Sequence, residues 1–356
     1  MSTSIPSSMR ALVLPRYCKP SEYDVATIPT PQISQPDELL VKVLAASVNP
    51  IDVKMAAGMG KFMETAPFPY KLGHDLAGIV VAIGSSVSTF KVGDEVYADS
   101  SIRGTIAEYA LSTTSTTAHK PTSLSFSAAA AIPLAAQSAL QSLQRGDDKI
   151  GLAGKTVFVG GALSATGSFG VQLAKNVFGA SKVITTVSTA KMGRIREILG
   201  DGEPDVVVDY KGGAEYVVER VGKGVVDFMY DNTGMTLAGL GMMKKGGVIV
   251  SVTTVPSGAM TKKARPEVGG WLVLLLDLVD WFYRTWTRRA GVDYSALLTN
   301  PAGSDLEKLA RWVDKGKIKP IVGRQVMLSD VEGVRQGCQE VLDGKGGIGK
   351  FVINID

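Results

Sequence analysis

Short runs of apolar, often β-branched residues alternate with helix-like segments through the middle of the chain. Five runs have this character, at residues 156–159, 182–188, 205–210, 225–230 and 247–252. Strands of a parallel sheet that is covered by helices on both faces are apolar along their whole length. The pattern therefore predicts a doubly wound parallel sheet and places the chain in the α/β class.

The segment before this region has a different pattern. Residues 39–46 alternate like a strand, and residues 78–83 and 95–98 are also strand-like. Turn signals follow at residues 84–86 and precede the third run at residues 92–94. Alternation with short turns is typical of antiparallel sheets, so we expect a β-rich, partly barrel-like domain here.

The remaining segments predict how the two regions are connected. Residues 125–143 are rich in alanine and predict one helix that enters the central domain. After the parallel sheet, residues 305–315 and 331–342 predict helices, and residues 318–328 and 350–355 predict strands. We expect this tail to return to the first, β-rich domain.

The first strand of the central region leads into a glycine turn and a helix. Gly161 and Gly167 bracket a loop that contains Ser164, Ala165 and Thr166. A strand, a glycine turn and a helix in this order bind a dinucleotide, because N–H groups at the helix N-terminus bind the pyrophosphate. The loop lacks the inner glycines of the G-x-G-x-x-G pattern. The hydroxyls of Ser164 and Thr166 are therefore expected to bond the pyrophosphate directly.

The end of the second strand predicts which dinucleotide is bound. NAD sites usually have an acid there to bind the ribose 2′-hydroxyl, but residues 187–191 contain none. Ser188 and Lys191 instead offer a hydroxyl and a cation, which suit a 2′-phosphate, and Tyr210 follows the third strand. We predict NADPH rather than NADH; the alternative is that Lys191 belongs to an ordinary solvated helix face.

Two further strand ends supply candidate cofactor contacts. Asn232 and Thr233 follow the fourth strand, and Val252 and Thr253 follow the fifth. Ligands of open parallel sheets bind outside the carboxyl ends of the strands. We expect Asn232 and Thr233 to contact the ribose or the nicotinamide, and Val252 and Thr253 to contact the nicotinamide through the backbone.

Composition limits the classes of function. A chain of 356 residues predicts two domains, and 45% hydrophobic with 20% charged residues is typical of a soluble globular protein. The net charge of +4, without a basic run, argues against a nucleic-acid partner. Cys18 and Cys338 form neither a disulfide framework nor a cysteine zinc cluster. The N-terminal segment lacks the apolar core of a signal peptide, so we expect a cytoplasmic protein.

Seven motifs in order resemble the medium-chain dehydrogenase/reductase superfamily, in its zinc-free quinone oxidoreductase and enoyl reductase branch. They are SVNPIDVK (47–54), LGHDLAG (72–78), FKVGDEV (90–96), GTIAEY (104–109), AAIPL (130–134), KGKIKP (315–320) and GKFV (349–352). The resemblance implies a GroES-like catalytic domain from residues 1–130 and 301–356. It implies a Rossmann NADPH-binding domain from residues 131–300.

The residues at the zinc positions of this superfamily argue against a metal. Asn49 stands where zinc-dependent relatives have a cysteine, and His74 and Asp75 have no partner cysteine. The four-cysteine lobe that binds a structural zinc is also missing. We therefore expect no metal, and a structural or hydrogen-bonding role for His74.

Without a metal, polar side chains must orient the hydride acceptor. The first motif offers Asn49, Asp52 and Lys54, and the resemblance places Ser138 against the nicotinamide. Lys54 is predicted to donate to a substrate carbonyl or the nicotinamide ribose, or else is an exposed lysine on a turn. Ser138 holds the carboxamide or the substrate oxygen, or else bonds its own helix backbone. Asp52 anchors the turn or takes part in the chemistry.

Residues 270–289 depart from the smaller quinone reductases. Their apolar positions have helical spacing, but the run is too short to span a bilayer and Asp277 and Asp280 interrupt it. Three interpretations stay open: a helix on the cofactor domain or at a subunit contact, an apolar wall for a large substrate, and an interfacial membrane helix.

Together these observations predict a zinc-independent, NADPH-dependent reductase. Hydride goes to the C=C bond of an α,β-unsaturated carbonyl, as in an enoyl or enone reductase, or to a quinone. Two alternatives stay open: a tailoring enoyl reductase of secondary metabolism that acts on a polyketide-like chain, and an NADPH-binding redox sensor without turnover. The expected partner is a small-molecule substrate, and the resemblance implies a monomer or a homodimer. The short, interrupted apolar run at residues 270–289 argues against an integral membrane protein.

Overall fold

The chain divides into two compact units. The computed structural model describes residues 5–61, 68–345 and 347–356. The first unit combines Met1–Gln137, Asn300–Gly316 and Pro320–Asp356, and the second combines Ser138–Thr299 and Lys317–Lys319. The first unit thus contains both ends of the chain, and the second contains its middle.

The helices and strands of the described residues are named in chain order. The strands are β1 (Ser8–Leu14), β2 (Asp24–Pro29), β3 (Glu38–Val48), β4 (Tyr70–Lys71), β5 (Asp75–Ile83), β6 (Glu95–Asp99), β7 (Tyr109–Thr113), β8 (Thr117–His119), β9 (Thr156–Val159), β10 (Lys182–Val187), β11 (Val206–Asp209), β12 (Val226–Asp231), β13 (Met243–Ser251), β14 (Asp293–Ala296), β15 (Val322–Met327) and β16 (Lys350–Asn354). The helices are α1 (Pro50–Ala56), α2 (Phe126–Ala130), α3 (Pro133–Ile150), α4 (Ala165–Asn176), α5 (Ile195–Leu199), α6 (Gly213–Val221), α7 (Gly258–Ala264), α8 (Gly270–Arg289), α9 (Gly303–Asp314) and α10 (Val331–Leu342).

A six-stranded parallel sheet forms the core of the second unit. Its strand order is β11-β10-β9-β12-β13-β14. Buried side chains from neighbouring strands, such as Phe158, Ile184, Met229 and Ile249, belong to one apolar cluster. The five predicted strands are confirmed. The sixth, β14, is the edge strand, and its sequence DYSA has no apolar run from which it could be predicted.

The predicted helix over residues 125–143 is wrong as a single element. The structure has two helices instead, α2 and α3, separated by Ala131 and Ile132. Ser125 caps α2 by accepting the Ala128 N–H at 3.3 Å, and Pro133 begins α3. Proline breaks a helix interior but is favourable in a first turn, where its missing N–H has no partner to lose.

Two sheets form the first unit. The larger has the order β15-β16-β3-β5-β6-β8, with β7 also paired to β3, and the smaller has the order β2-β1-β4. The larger sheet is antiparallel except for the β15–β16 pair. Asp75 of β5 lies opposite both Ser47 of β3 and Asp99 of β6. This register gathers polar side chains at one end of three strands.

Helix α8 has the bounds that the apolar spacing predicts. Its buried positions are Asp280 and Thr287, whereas Leu275 and Phe282 of the predicted apolar stripe are exposed. Among the described residues, no helix combines the length and the apolar character that crossing a bilayer requires.

Candidate functional site

The turn between β9 and α4 has the geometry of a phosphate-binding loop. Gly161 has a φ of 56°, in the left-handed region that favours glycine. A Cβ on Gly167 would lie 2.1 Å from the Gly161 carbonyl oxygen, so only glycine allows the helix to begin this close to the turn. Ser164 caps α4, because its Oγ accepts the Gly167 N–H at 3.0 Å. Direct bonding of Ser164 to a pyrophosphate stays a prediction, as does any contact of its neighbour Ala165.

The loop after β12 meets the same turn. Asn232 Nδ2 donates to Thr166 Oγ1 at 3.1 Å. A Cβ on Gly160 would lie 2.3 Å from Thr233 Oγ1, so the two loops are in close contact. The other amide atom, Asn232 Oδ1, is buried and has no hydrogen-bond partner within the part of the chain that the structure describes. A buried acceptor without a donor is costly, so a ligand hydroxyl or amide would satisfy it.

The buried carboxylate of Asp231 holds the ends of β12 and β13 together. It accepts the backbone N–H groups of Thr233, Gly234, Met235 and Thr236 at 2.8–3.2 Å. It also accepts hydroxyls from Ser251 at 3.1 Å and Thr253 at 3.3 Å. The Val252 N–H bonds the Asp231 carbonyl oxygen at 3.0 Å. Asp231 therefore holds three residues that are predicted to contact the cofactor, Thr233, Val252 and Thr253. The fourth, Asn232, follows Asp231 in the chain.

An acid stands near the predicted 2′-phosphate position. Val187 of β10 pairs with Asp209 of β11, so Ser188 and Tyr210 follow adjacent strand ends. The Thr189 hydroxyl donates to Asp209, and the Lys211 N–H bonds it at 2.9 Å. Hydrogen bonds from Thr189 and Lys211 lower the pKa of Asp209. The edge thus carries the carboxylate of Asp209, followed in the chain by the half-exposed ring of Tyr210.

In the first unit, Asp75 is the centre of a buried polar cluster. Its Oδ2 accepts Ser47 Oγ at 2.9 Å and Asn49 Nδ2 at 2.8 Å, and lies 3.0 Å from Lys350 Nζ. Its Oδ1 accepts the Leu134 N–H at 2.9 Å. Lys350 also donates to Asn49 Oδ1. The Asp75–Lys350 pair is fully buried, so its cost in desolvation is offset by this complete set of partners.

His74 and Asp52 form a second pair in this cluster. Asp52 accepts the Asn49 N–H at 2.7 Å, which anchors the first turn of α1, and its other oxygen bonds His74 Nδ1. Burial lowers the pKa of His74, but the charge and hydrogen bond of Asp52 outweigh it, and the net shift is upward. The hydrogen-bonding role expected for His74 is therefore what the structure shows.

Asp99 is a buried carboxyl that sequence reasoning missed. Its Oδ2 accepts Gln137 Nε2 at 3.3 Å, and its Oδ1 has no hydrogen-bond partner among the described residues. Burial and the charge of Asp75 across the strand pair raise the pKa of Asp99 to about 7. No local pattern in the sequence marks Asp99, because its neighbours come from distant segments.

The structure brings some predicted catalytic residues together and leaves others apart. Asn49 and Asp52 are buried neighbours in the cluster around Asp75. Lys54 lies on the exposed side of α1, since residues two apart point about 200° away from each other on a helix. Ser138 is buried, and its Oγ lies 2.7 Å from Thr299 Oγ1. The chemical roles of these four residues stay predictions.

The residues at the zinc positions do not fit a catalytic zinc. The donor oxygens of Asn49 and Asp75 are bonded to the Lys350 ammonium, so a cation of the protein already occupies their coordination. His74 Nδ1 is bonded to Asp52, and both cysteines, Cys18 and Cys338, lie elsewhere in the apolar core of this unit. Within residues 5–61, 68–345 and 347–356, no group of three metal-ligating side chains is present.

The chain is similar to known proteins over most of its length. Residues 35–122 match the alcohol dehydrogenase GroES-like domain, and residues 202–352 match the zinc-binding dehydrogenase family. A Solanum lycopersicum protein named 2-methylene-furan-3-one reductase is 36% identical, over 90% of this chain and 73% of its own. An Arabidopsis thaliana protein named NADPH-dependent alkenal/one oxidoreductase, chloroplastic, is 33% identical with the same coverage. The quinone oxidoreductase structure from Coxiella burnetii has a TM-score of 0.79 at 25% identity, covering 98% of this chain and 100% of its own.

The family matches agree with the architecture of both units. The GroES-like match covers β3 and β5–β8 of the first unit, and the parallel six-stranded sheet is of the Rossmann type. A nicotinamide cofactor is supported by the Rossmann-type sheet with its glycine turn after β9, and by the match to dehydrogenases and to an NADPH-dependent oxidoreductase. The chain is an oxidoreductase of the medium-chain dehydrogenase/reductase superfamily, and it is homologous to the quinone oxidoreductases and enone reductases of that superfamily.

Proposed function

We propose that this oxidoreductase reduces the C=C bond of α,β-unsaturated carbonyl compounds with NADPH and without zinc, and that quinones are alternative acceptors. The observation that carries the proposal is the glycine turn at Gly161–Gly167, which is hydrogen-bonded to Asn232 through Thr166. The buried Oδ1 of Asn232 has no hydrogen-bond donor among the described residues, and a bound cofactor would supply one. The names of the tomato and Arabidopsis relatives, a furanone reductase and an alkenal/one oxidoreductase, support the acceptor class.

NADPH is proposed over NADH because of the residues at the ends of β10 and β11. Lys191 supplies a cation and Ser188 and Tyr210 supply hydroxyls, which together suit a 2′-phosphate. Asp209 opposes this choice, because its carboxylate lies at the same edge. The Thr189 hydroxyl and the Lys211 backbone N–H both bond Asp209. Lys191 is the cation proposed to decide the preference.

NADPH, when bound, would be the source of the hydride that the β-carbon of the acceptor takes up, and the α-carbon would take up a proton. We assign the orientation of the acceptor carbonyl or of the nicotinamide to Lys54 and Ser138. Asn49 and Asp52 are positioning residues in this proposal, since they bond Lys350 and His74. His74 is the candidate proton source, because the charge and hydrogen bond of Asp52 raise the pKa of the ring and so favour its protonated form.

The experiment measures NADPH oxidation with small enones and quinones, and compares the protein with Lys191→Glu. The proposal expects enone-dependent oxidation of NADPH and about tenfold weaker NADPH binding in the variant, which is about 1.4 kcal/mol. NADH binding should change little. Tight NADPH binding without turnover on any enone or quinone would favour a sensor instead, and turnover only on carrier-bound chains would favour a tailoring reductase.

We propose the cytoplasm as the location and a monomer or homodimer as the assembly. The chloroplastic location in the name of the Arabidopsis relative belongs to that protein. Fractionation of cells that express the full chain tests the location, and light scattering during gel filtration tests the assembly.

A further inference from the structure

Helix α8 carries a broad apolar face toward solvent. Seven large apolar side chains on this helix are between 44% and 73% exposed: Trp271, Leu274, Leu275, Leu278, Trp281, Phe282 and Trp286. Their spacing of three and four residues places them on one side of a helix about 30 Å long. We call this side the α8 face.

The opposite side of the helix is anchored in the second unit. Asp280 is buried and pairs with Arg284 at 2.5 Å, and Arg284 Nη1 donates to the Tyr294 carbonyl of β14 at 3.3 Å. The ring of Tyr283 stacks on that of Tyr294 at 5.5 Å. A Cβ on Gly258 would lie 2.1 Å from the Val273 carbonyl oxygen, so α7 packs tightly against α8. These contacts hold α8 in place, so the α8 face is exposed in the folded second unit.

The α8 face is larger than the apolar patches of ordinary monomers. Aromatic side chains bury 150–250 Å² each, so three indoles that are 48–68% exposed offer roughly 300 Å². That area alone equals a typical largest patch on a soluble monomer, before the four other side chains are added. Exposed apolar patches of this size mark sites of interaction with a protein or a membrane.

Charge around the α8 face favours an anionic partner. Glu267 pairs with Arg265 at 3.9 Å, and Asp280 pairs with Arg284. Residues 258–292 contain four further cations, Lys262, Lys263, Arg288 and Arg289, and one further carboxylate, Asp277. Arg289 lies over the ring of Trp286 at 5.6 Å, so a cation borders the apolar stripe directly.

We propose that the α8 face binds the surface of an anionic lipid bilayer. Helices that lie in the membrane interface have this composition: tryptophan, phenylalanine and leucine on one side, with arginine and lysine beside them. Tryptophan prefers the headgroup level, and basic residues gain energy from anionic lipids. The binding is peripheral, since the exposed side chains reach only the boundary of the acyl chains. It does not depend on the proposed reaction.

The test uses the full-length protein and vesicles of phosphatidylcholine, with and without about one-third phosphatidylglycerol. The wild type should bind the anionic vesicles, with affinity that falls as salt is added. Three of the four tryptophans lie on the α8 face, so a blue shift of intrinsic fluorescence should accompany binding. Arg288→Gln/Arg289→Gln should bind roughly 30-fold more weakly, at about 1 kcal/mol per arginine.

Leu278→Glu/Trp281→Glu is the second variant, and Val92→Glu, at an exposed apolar position of the first unit, is its matched control. The first should lose vesicle binding and the control should keep it, with both unfolding at the wild-type midpoint. Absence of wild-type binding to anionic vesicles overturns the proposal. So does equal binding by Leu278→Glu/Trp281→Glu, or a wild-type dimer that this variant dissociates while no protein binds vesicles.

Discussion

Asp99→Asn should change the pH dependence of stability. The free energy of unfolding of the variant, relative to that of the wild type, should increase as the pH rises. The carboxyl of Asp99 is buried, lies opposite Asp75 in the β5–β6 pair, and has one oxygen without a hydrogen-bond partner. Its ionisation is opposed by burial and by Asp75 and Asp52, and favoured by His74 and Lys350. Asparagine keeps the shape and removes the charge.

The magnitude follows from the pKa of Asp99, which is about 7 in the folded protein against 3.8 for an unperturbed carboxyl. Each pKa unit corresponds to 1.36 kcal/mol, so ionised Asp99 costs about 4 kcal/mol in full. The folded state keeps its proton longer than the unfolded state. Stability is therefore lost as the pH rises from about 4 to about 7, and the loss is complete above that range. Between pH 5 and 8 the difference in unfolding free energy between the variant and the wild type should grow by about 2–3 kcal/mol.

Urea unfolding of both proteins at several pH values between 5 and 8 measures this difference. Asp201→Asn, at an exposed position, is the control and should give no pH-dependent difference. The Asp99 charge also raises the pKa of His74, so the His74 ring should titrate at lower pH in the variant. If the difference in unfolding free energy between Asp99→Asn and the wild type is constant from pH 5 to 8, Asp99 is not the buried carboxyl with the raised pKa.

Three further substitutions test other parts of the account. Lys350→Met leaves Asp75 buried without its cation and should cost about 3–5 kcal/mol of unfolding free energy in urea; a loss below 1 kcal/mol would contradict the pairing. Ser164→Ala removes the cap of α4 and should lower the free energy of unfolding by about 1 kcal/mol, measured by thermal unfolding. An unchanged midpoint would mean that the cap does not stabilise the protein. Asp231→Ala leaves four backbone N–H groups without their acceptor and should weaken NADPH binding at least about tenfold by calorimetry. Unchanged NADPH affinity in folded Asp231→Ala would show that the loop does not contact the cofactor.

Local signals allowed much of the second unit to be predicted from the sequence. The apolar run of β9, the glycine turn and the pattern of α4 are consecutive, and α8 has the bounds that its spacing predicts. The failures are also local in origin. Pro133 starts a second helix where the alanine-rich run predicts one continuous helix. The edge strand β14 is buried at three of its four positions, but its sequence DYSA contains no apolar run.

The polar clusters were beyond sequence reasoning because they depend on tertiary contacts. Lys350 and Asn49 are bonded across 301 positions of the chain, and Asp99 meets Asp75 only through the β5–β6 register. Asp231 was passed over in favour of Asn232 and Thr233, although its carboxylate organises that loop. Asp209 became relevant to the cofactor only once β10 and β11 were paired.

The most direct test of the central claim is the initial rate of NADPH oxidation with a simple alkyl vinyl ketone, compared with NADH at the same concentration. The account predicts a rate that depends on the ketone, a saturated ketone as product, and a higher kcat/KM for NADPH than for NADH. Oxidation of neither nicotinamide with any enone or quinone, at cofactor concentrations in the millimolar range, would contradict it.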